Sequence, residues 1–333
     1  MAARLEQAAA SGETLIGKAT AQLVRDTSRT ESVDPLELKG KAEPVPAFRL
    51  LEVLPEVPAF TAPIETPFVG REQELETLES ALAATSEARQ SQLATVVGPP
   101  GIGKSRLIRE LVQRADARVL VGRCLSYGEG ITYWPLQEIV HQLDLGVLED
   151  ELARSRIAAA LGEGSASSDE IAWGFRRLFE TLAQERPLVV VLDAIHWAEP
   201  TLLDLIEYIA AFSHDAPLLL LCSARPDLFD RRPEWATPKP NALLLTLEPL
   251  PEKQTEALVE ELGELPDESK QKIVEAAEGN PLFVEQLVAH QAESRNGLEI
   301  PPTIQALLAA RIDRLESPER SVIERTRRKL AEF

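Results

Sequence analysis

The stretch LATVVGPPGIGKS, residues 93–105, decides the fold. Its first five residues, LATVV, form an apolar run of the length and composition of a buried strand. GPPGIGKS (98–105) then meets G-x-x-x-x-G-K-[S/T] at every fixed position, and KSRLIRELVQRA (104–115) follows with a helical pattern. Strand, loop and helix in that order are the context that gives the motif its meaning. Gly98, Gly101 and Gly103 let the backbone curl until successive N–H groups face one anion. Pro99, Pro100 and Ile102 fill the variable places, and Arg106 completes the binding set. The helix beginning near Lys104 adds the positive end of its dipole. Lys104 is a point charge for β- and γ-phosphates, and the Ser105 hydroxyl is a magnesium ligand.

Working outward, the same kind of apolar run recurs at ARVLVGRC (117–124), PLVVVL (187–192), PLLLLCSA (217–224) and ALLLTL (242–247). Helical patterns separate them: EQELETLESALAATSEAR (72–89) with Leu75, Leu78 and Leu82 on one face, a helix entered through Pro135, one capped by Asp169 and running to about 184, and TLLDLIEYIAAF (201–212). Uniformly apolar strands alternating with helices predict an α/β fold, a five-stranded parallel sheet covered on both faces. From 251 the strands stop, and four helical segments broken by glycine and proline predict a bundle, the last being TIQALLAARIDRL (303–315). Ahead of the sheet, residues 1–53 form a separate α+β unit: a short helix, a strand and helix over ETLIGKATAQLVRD, and strands around a turn over LELKGKAEPVPAFRLLEV. The proline-rich stretch 54–66 reads as a linker. The expected division is therefore 1–53, linker 54–66, sheet domain 67–249 and helical bundle 250–333.

The strand LVVVLD ends in Asp193, a carboxylate placed to hold magnesium beside the phosphate loop. The next residue is Ala194, which can neither accept a proton nor orient water. Glu199 and Asp204 lie nearby in sequence and would have to reach back from the next turn or helix. His196 reads as a structural or coupling residue rather than a general base, and Trp197 as packing.

The 333 residues carry 54 acidic against 35 basic side chains, a net charge of −19. That excludes a broad nucleic-acid or anionic-membrane footprint, which needs clustered basic charge. The one dense basic run, RTRRK (325–329), reads as a solvated helix face. Cys124 and Cys222 stand far apart in apolar surroundings and read as buried free thiols. No apolar run is long enough to span a membrane, and the N-terminus lacks a signal-peptide core, so a cytoplasmic location is expected.

Seven stretches in order carry a family resemblance: FVGREQEL (68–75), GPPGIGKS, GRCLSYGEGITYWPL (122–136), LDAIHWAEPTLLDLIEYI (192–209), LLCSARPDL (220–228), EGNPLFVEQL (278–287) and PPTIQALLAARIDRL (301–315). Together they resemble the ATPase module of bacterial multidomain signalling proteins, the signal-transduction (STAND) ATPases related to AAA and origin-recognition-type ATPases. The resemblance implies ATP or ADP as ligand with Mg2+, Arg225 as a sensor of the γ-phosphate, and Pro281 as the helical-lid proline that packs on adenine. It also implies that Phe68, Val69, Gly70 and Arg71 line the base pocket. Gly128, Glu129, Tyr133 and Trp134 belong to a family signature without a derivable chemistry. The family typically shows two acids where this chain has Asp193-Ala194, and the second is the more regular, so the magnesium role stays open between the two positions. Loss of a water-activating acid slows hydrolysis by about 10²–10⁴. The expected function is an ATP-binding switch with slow or absent turnover. The alternatives are an ordinary ATPase using Glu199 or another acid, and a degenerate fragment acting only as an interaction scaffold. A signalling protein partner is implied but not identified, and self-association is open.

Residues 1–53 resemble the last third of a class III adenylate/guanylate cyclase domain, which in many bacterial proteins precedes such an ATPase module. Ala3 and Arg4 match the end of that family's N-x-x-A-R motif, and Arg4 would be its transition-state arginine. The asparagine and the metal-binding aspartates would fall before Met1, so no cyclase activity is expected. The family usually continues past the bundle into a winged-helix unit and helical repeats, and this chain is expected to be cut at both ends or to be a minimal form.

Overall fold

A computed structural model describes residues 5, 8–9, 13–23, 28–36, 45–53, 67–125 and 132–293. The chain divides into two compact units, the larger of them Pro63–Leu298. Arg4, the linker 54–66, Gly128 and Glu129, the segment TIQALLAARIDRL and the basic run RTRRK lie outside the described residues.

In the N-terminal unit, β1 (Thr14–Gly17), β2 (Ser28–Leu36) and β3 (Val45–Val53) form an antiparallel sheet of order β1-β3-β2, with α1 (Lys18–Leu23) after β1. The second strand begins at Ser28, eight residues before the LELK segment that the sequence pattern suggested. The reason is chemical. SRTESVDPL has no apolar run, and β2 is joined to its neighbour β3 partly by charge: Arg49 reaches Glu31 at 2.9 Å and Arg29 reaches Glu52 at 3.6 Å. Being an edge strand, it also tolerates Pro35, where the register shifts between Val33 and Leu36.

The larger unit is built on β4 (Gln92–Val97), β5 (Arg118–Arg123), β6 (Leu188–Asp193), β7 (Leu218–Ala224) and β8 (Ala242–Thr246), paired in parallel in the order β5-β6-β7-β4-β8. β4 is the switch point, with β7 on one side and β8 on the other. Ligands of open α/β sheets bind outside the carboxyl ends of the strands at such a point. The register brings those ends level: Val97 faces Ala224 and Thr246, and Arg123 faces Asp193. The interior strands β6 and β7 are buried along their whole length, which is why their sequences do not alternate.

The sheet's helices are α2 (Glu72–Ala88), α3 (Lys104–Arg114), α4 (Trp134–Val140), α5 (Glu151–Ala160), α6 (Ser168–Glu185), α7 (Pro200–Phe212) and the short α8 (Leu228–Arg231). Leu75 and Leu78 of α2 are buried as the pattern requires, Leu82 only partly. Pro135 sits in the first turn of α4. The cap of α6 is Ser167, not Asp169: the Ser167 hydroxyl and Glu170 carboxylate form a capping box, while Asp169 lies inside the first turn and complements the dipole. The sequence pattern gave no sign of α5, because its buried stripe is Ala153, Ile157 and Ala160, two of them too small to register as apolar periodicity. After β8 come α9 (Glu252–Leu262), α10 (Asp267–Ala277) and α11 (Pro281–Glu293), three helices in the same compact unit as the sheet. Among the described residues no helix is long and apolar enough to cross a membrane.

Candidate nucleotide-binding site

The loop between β4 and α3 has the backbone its glycines require. Gly101 (φ 80°) and Gly103 (φ 104°) lie in the left-handed region. Gly98 is needed for space instead: a Cβ there would stand 2.8 Å from Ile102 Cγ2 and 3.1 Å from the Leu247 carbonyl. Gly103 is the N-cap of α3 and provides no side chain to cap its first-turn amides. Those amides and the helix dipole are a ready anion seat. The Lys104 ammonium bends back over the loop, donating to the carbonyls of Gly98 (2.7 Å) and Pro99 (2.9 Å). Burial and the neighbouring Arg225 charge hold its pKa below the usual lysine value, against the opposite pull of Asp193 and Asp227. The charges of Arg225 and Asp193 are thus both felt at Lys104. Ser105 is exposed at the start of α3.

Beside the loop is a cavity of about 250 Å³ whose walls include Phe68, Val69, Arg71, the run from Gly101 to Arg106, Leu258, Pro281, Leu282 and Glu285. Val69, Arg71 and Pro281, far apart in sequence, are therefore brought to one wall system with the phosphate loop. Arg71 spends most of its donors on the protein: Nη1 on Glu74 (2.8 Å), Nη2 on the Glu248 carbonyl and, more distantly, Ile102 O (3.5 Å). Its Nε is buried without a partner. Phe68 lies under the guanidinium groups of Arg106 (5.8 Å) and Arg114 (5.9 Å). Burial raises the Glu285 pKa, with Arg106 opposing.

The helical segment is tied directly to the loop. Asn280 Nδ2 donates to the Pro100 carbonyl (3.0 Å), and the Leu282 amide donates to the Gly101 carbonyl (3.3 Å) and to Asn280 Oδ1 (3.2 Å). Residue 280 was visible in the sequence only as the middle of GNP. Its role depends on a contact across 180 positions, which no local pattern carries.

At the acidic strand end, Asp193 is nearly buried, and Oδ1 accepts a 2.5 Å hydrogen bond from Ser223 Oγ on β7. Oδ2 faces Arg123 Nε at 3.3 Å. Ala194 has φ 61° and ψ 40°, and its amide donates to Ser223 Oγ (2.9 Å). Neither candidate replacement acid is idle. Asp204 pairs with Arg232 (2.6 Å), and Glu199 accepts a hydrogen bond from Thr132. His196 is buried with both ring nitrogens lacking a partner, and burial lowers its pKa. Its ring lies 5.1 Å from that of Trp197, over which the Arg225 guanidinium sits at 5.9 Å. Arg231 of α8 donates to the carbonyls of His196 (2.8 Å) and Ala198 (3.2 Å), so the turn after Asp193 and the segment after Arg225 form one bonded assembly.

A magnesium ion fits this donor set. No cluster of three His, Cys, Asp or Glu side chains exists among the described residues, so a protein-only cage is not on offer. Magnesium does not need one, since it keeps several waters and takes one or two protein oxygens beside phosphate. Ser105 at the start of α3 and Asp193 at the end of β6 are the oxygens that the sequence reading offers for that role. Both cysteines are free and buried, and burial pushes the Cys124 thiol up to about 12 and Cys222 further in the same direction.

Residues 67–221 match the family model described as AAA ATPase domain. A curated relative, an uncharacterized protein of Rhizobium meliloti, is 28% identical over 86% of this chain, and the chain covers 31% of that protein, about a third of its length. Among solved structures, the Walker-type ATPase of Pyrococcus abyssi superposes with a TM-score of 0.52 at 16% identity, over 81% of this chain and 79% of that one. A chain of the Drosophila ORC bound to DNA gives a TM-score of 0.50, also at 16% identity, over 78% of this chain and 68% of that one. At that identity the likeness is one of fold, and the fold is that of P-loop NTPases. A domain of this family implies a nucleotide and, typically, Mg2+. Over residues 67–221 the chain is thus similar to an AAA ATPase domain, on a P-loop NTPase fold.

Proposed function

We propose that this chain is an ATP-binding switch module of the STAND signalling type, in which nucleotide draws the helical segment α9–α11 onto the sheet and hydrolysis is slow because position 194 lacks an acid. The observation that carries the reading is the shared cavity, walled by the phosphate loop on one side and by Leu258, Pro281 and Leu282 on the other. A ligand filling it touches both parts at once, so its binding energy favours the closed arrangement. In this reading the loop amides and Lys104 hold the phosphates, Arg225 meets the γ-phosphate, and Val69, Arg71 and Pro281 hold the base. Ser105 and Asp193 hold magnesium, which supplies charge neutralisation to the phosphates. Trp197 and Arg231 carry the state of the Arg225 segment to the turn after Asp193.

Slow turnover is supported by the engagement of Asp204 and Glu199 elsewhere. Residues 1–53 are read with it as the C-terminal part of a class III cyclase domain, supported by their sequence resemblance. A signalling protein partner and self-association belong to the same proposal.

The test is phosphate release by purified protein with ATP and magnesium, measured beside nucleotide-induced thermal stabilisation. Wild type should be stabilised by ATP and release little phosphate, Ala194→Asp should gain turnover, and Lys104→Ala should lose both responses. Brisk turnover by wild type that Lys104→Ala abolishes would show that another group activates water. No stabilisation by any nucleotide would leave only the scaffold reading.

A further inference from the structure

Each carboxylate oxygen of Asp193 has a protein partner. Oδ1 accepts from Ser223, and Oδ2 faces the Arg123 guanidinium at 3.3 Å. We propose that Arg123 is an internal cation that takes the metal's place on Asp193 in the nucleotide-free protein, so that magnesium gains the carboxylate only by displacing it, and that Arg123 thereby sets the magnesium requirement of the nucleotide complex. This rests on the reading of Asp193 as a metal-holding residue.

The parallel register puts Arg123 opposite Asp193 at the level ends of β5 and β6. The backbone at this point is fixed: the Arg123 amide donates to Glu138 (2.6 Å), and the Cys124 amide donates to the Asp193 carbonyl (2.9 Å). The side chain is not fixed in the same way. It is 50% exposed, while the Asp193 side chain is 12% exposed. A nearly buried carboxylate is costly without a counter-charge, and Arg123 provides one. A half-exposed guanidinium is held weakly enough to give way, because water screens the pair and hydrates the arginine once it leaves. Its surroundings favour departure when a second cation arrives, since Arg109 adds positive charge nearby: the Arg109 pKa is lowered by burial and then by Arg106 and Arg123. The arrangement is a positioning device. Arg123 touches no reacting atom, and it acts through the carboxylate.

The experiment is a fluorescent-ATP titration on the full chain at fixed nucleotide concentration and rising magnesium, with the magnesium midpoint as readout. Arg123→Gln should lower that midpoint about two- to fivefold, the equilibrium value of a half-exposed ion pair. Arg123→Lys should stay near wild type, and magnesium-free affinity should not change in either. Combined with Asp193→Asn, the glutamine substitution should have no further effect. Arg123→Met keeps the aliphatic stem and serves if the glutamine variant does not fold. An unchanged or raised midpoint in a folded Arg123 variant, while Asp193→Asn alone shifts it, would overturn the role of Arg123. A midpoint indifferent to Asp193→Asn would instead remove the metal reading of Asp193, and this proposal with it.

Discussion

Ala194 is held in the left-handed region at φ 61° and ψ 40°, a conformation that glycine adopts freely and aspartate or asparagine tolerates through local hydrogen bonds. An alanine there stores about 1–2 kcal/mol of backbone strain. Ala194→Gly should therefore stabilise the folded protein by about 1 kcal/mol, less than the full strain because glycine also loses more chain entropy on folding. Urea unfolding at equilibrium reads this directly, and a destabilised glycine variant would show the turn to be unstrained. The same geometry explains how an acid could return at no backbone cost, since aspartate suits the position better than alanine does. That the second acid is missing was legible in the sequence; that its place is left-handed was not, because backbone handedness after a strand leaves no trace in residue type unless glycine or asparagine occupies it. His196 adds a pH dependence. Burial is the main cause of its lowered pKa, with Arg225 and Lys104 acting in the same direction and Asp227 and Asp193 against it. The folded imidazole stays neutral while the unfolded one takes up a proton as pH falls through its ordinary value of 6.5. The unfolded state then binds more protons, so stability is full above that pH and declines below it. Unfolding midpoints should fall on acidification from about pH 7 to about pH 5.5, with a shallower fall in His196→Gln. Equal slopes in the two proteins would assign the effect to other groups.

At the scale of elements, the decisive joint is the start of α11 against the phosphate loop. Gly101 is both left-handed and closely approached: a Cβ would lie 2.7 Å from Asn280 Oδ1 and 2.9 Å from Leu282 Cβ. Gly101→Ala thus combines backbone strain with overpacking and should cost about 2–4 kcal/mol of stability. Nucleotide affinity should drop at least tenfold as the loop is pushed off the helix. Asn280→Ala removes a side-chain bridge and leaves the loop conformation intact, so about 1 kcal/mol is expected. Its fluorescent-ATP affinity should weaken only severalfold. If the two variants bind nucleotide equally well, the joint does not carry ligand energy. The elements themselves were mostly legible. Five apolar runs became five parallel strands, with burial on both faces explaining the unbroken apolar sequence of β6 and β7, and three helices after residue 251 followed from periodicity and glycine or proline breaks. What escaped were elements stabilised by something other than apolar periodicity: β2, joined by cross-strand charge, and α5, whose buried face is largely alanine. The ties among Ser223, Asp193 and Arg123 escaped as well, since strand order in the sheet, not sequence order, makes them neighbours.

At the scale of the whole molecule, the two compact units have unequal means of stability. The core of the N-terminal unit consists, among the described residues, of Leu5 and Ala47 with Leu15, Val33, Leu36 and Val45 packed against them. A three-stranded sheet with no more apolar burial than these described residues supply is marginal, as small domains are in general. The larger unit buries β6 and β7 completely and adds Phe175 and Phe179 from α6, with ring centroids 6.0 Å apart. Heating the full chain should therefore give two calorimetric transitions, the weaker unit melting first. ATP binds only one of them in the proposed function. At a free concentration of about one hundred times Kd, a ligand specific for the folded state adds about 2.7 kcal/mol. For a unit of roughly 200 residues that corresponds to a rise of about 5–10 °C in the upper transition, with the lower one unmoved. A single transition that ATP raises as a whole would mean that the units melt together and that nucleotide energy reaches residues 1–53. Two transitions with only the upper displaced would mean that nucleotide stabilises the larger unit alone, because the stability of the N-terminal unit is then independent of the ligand.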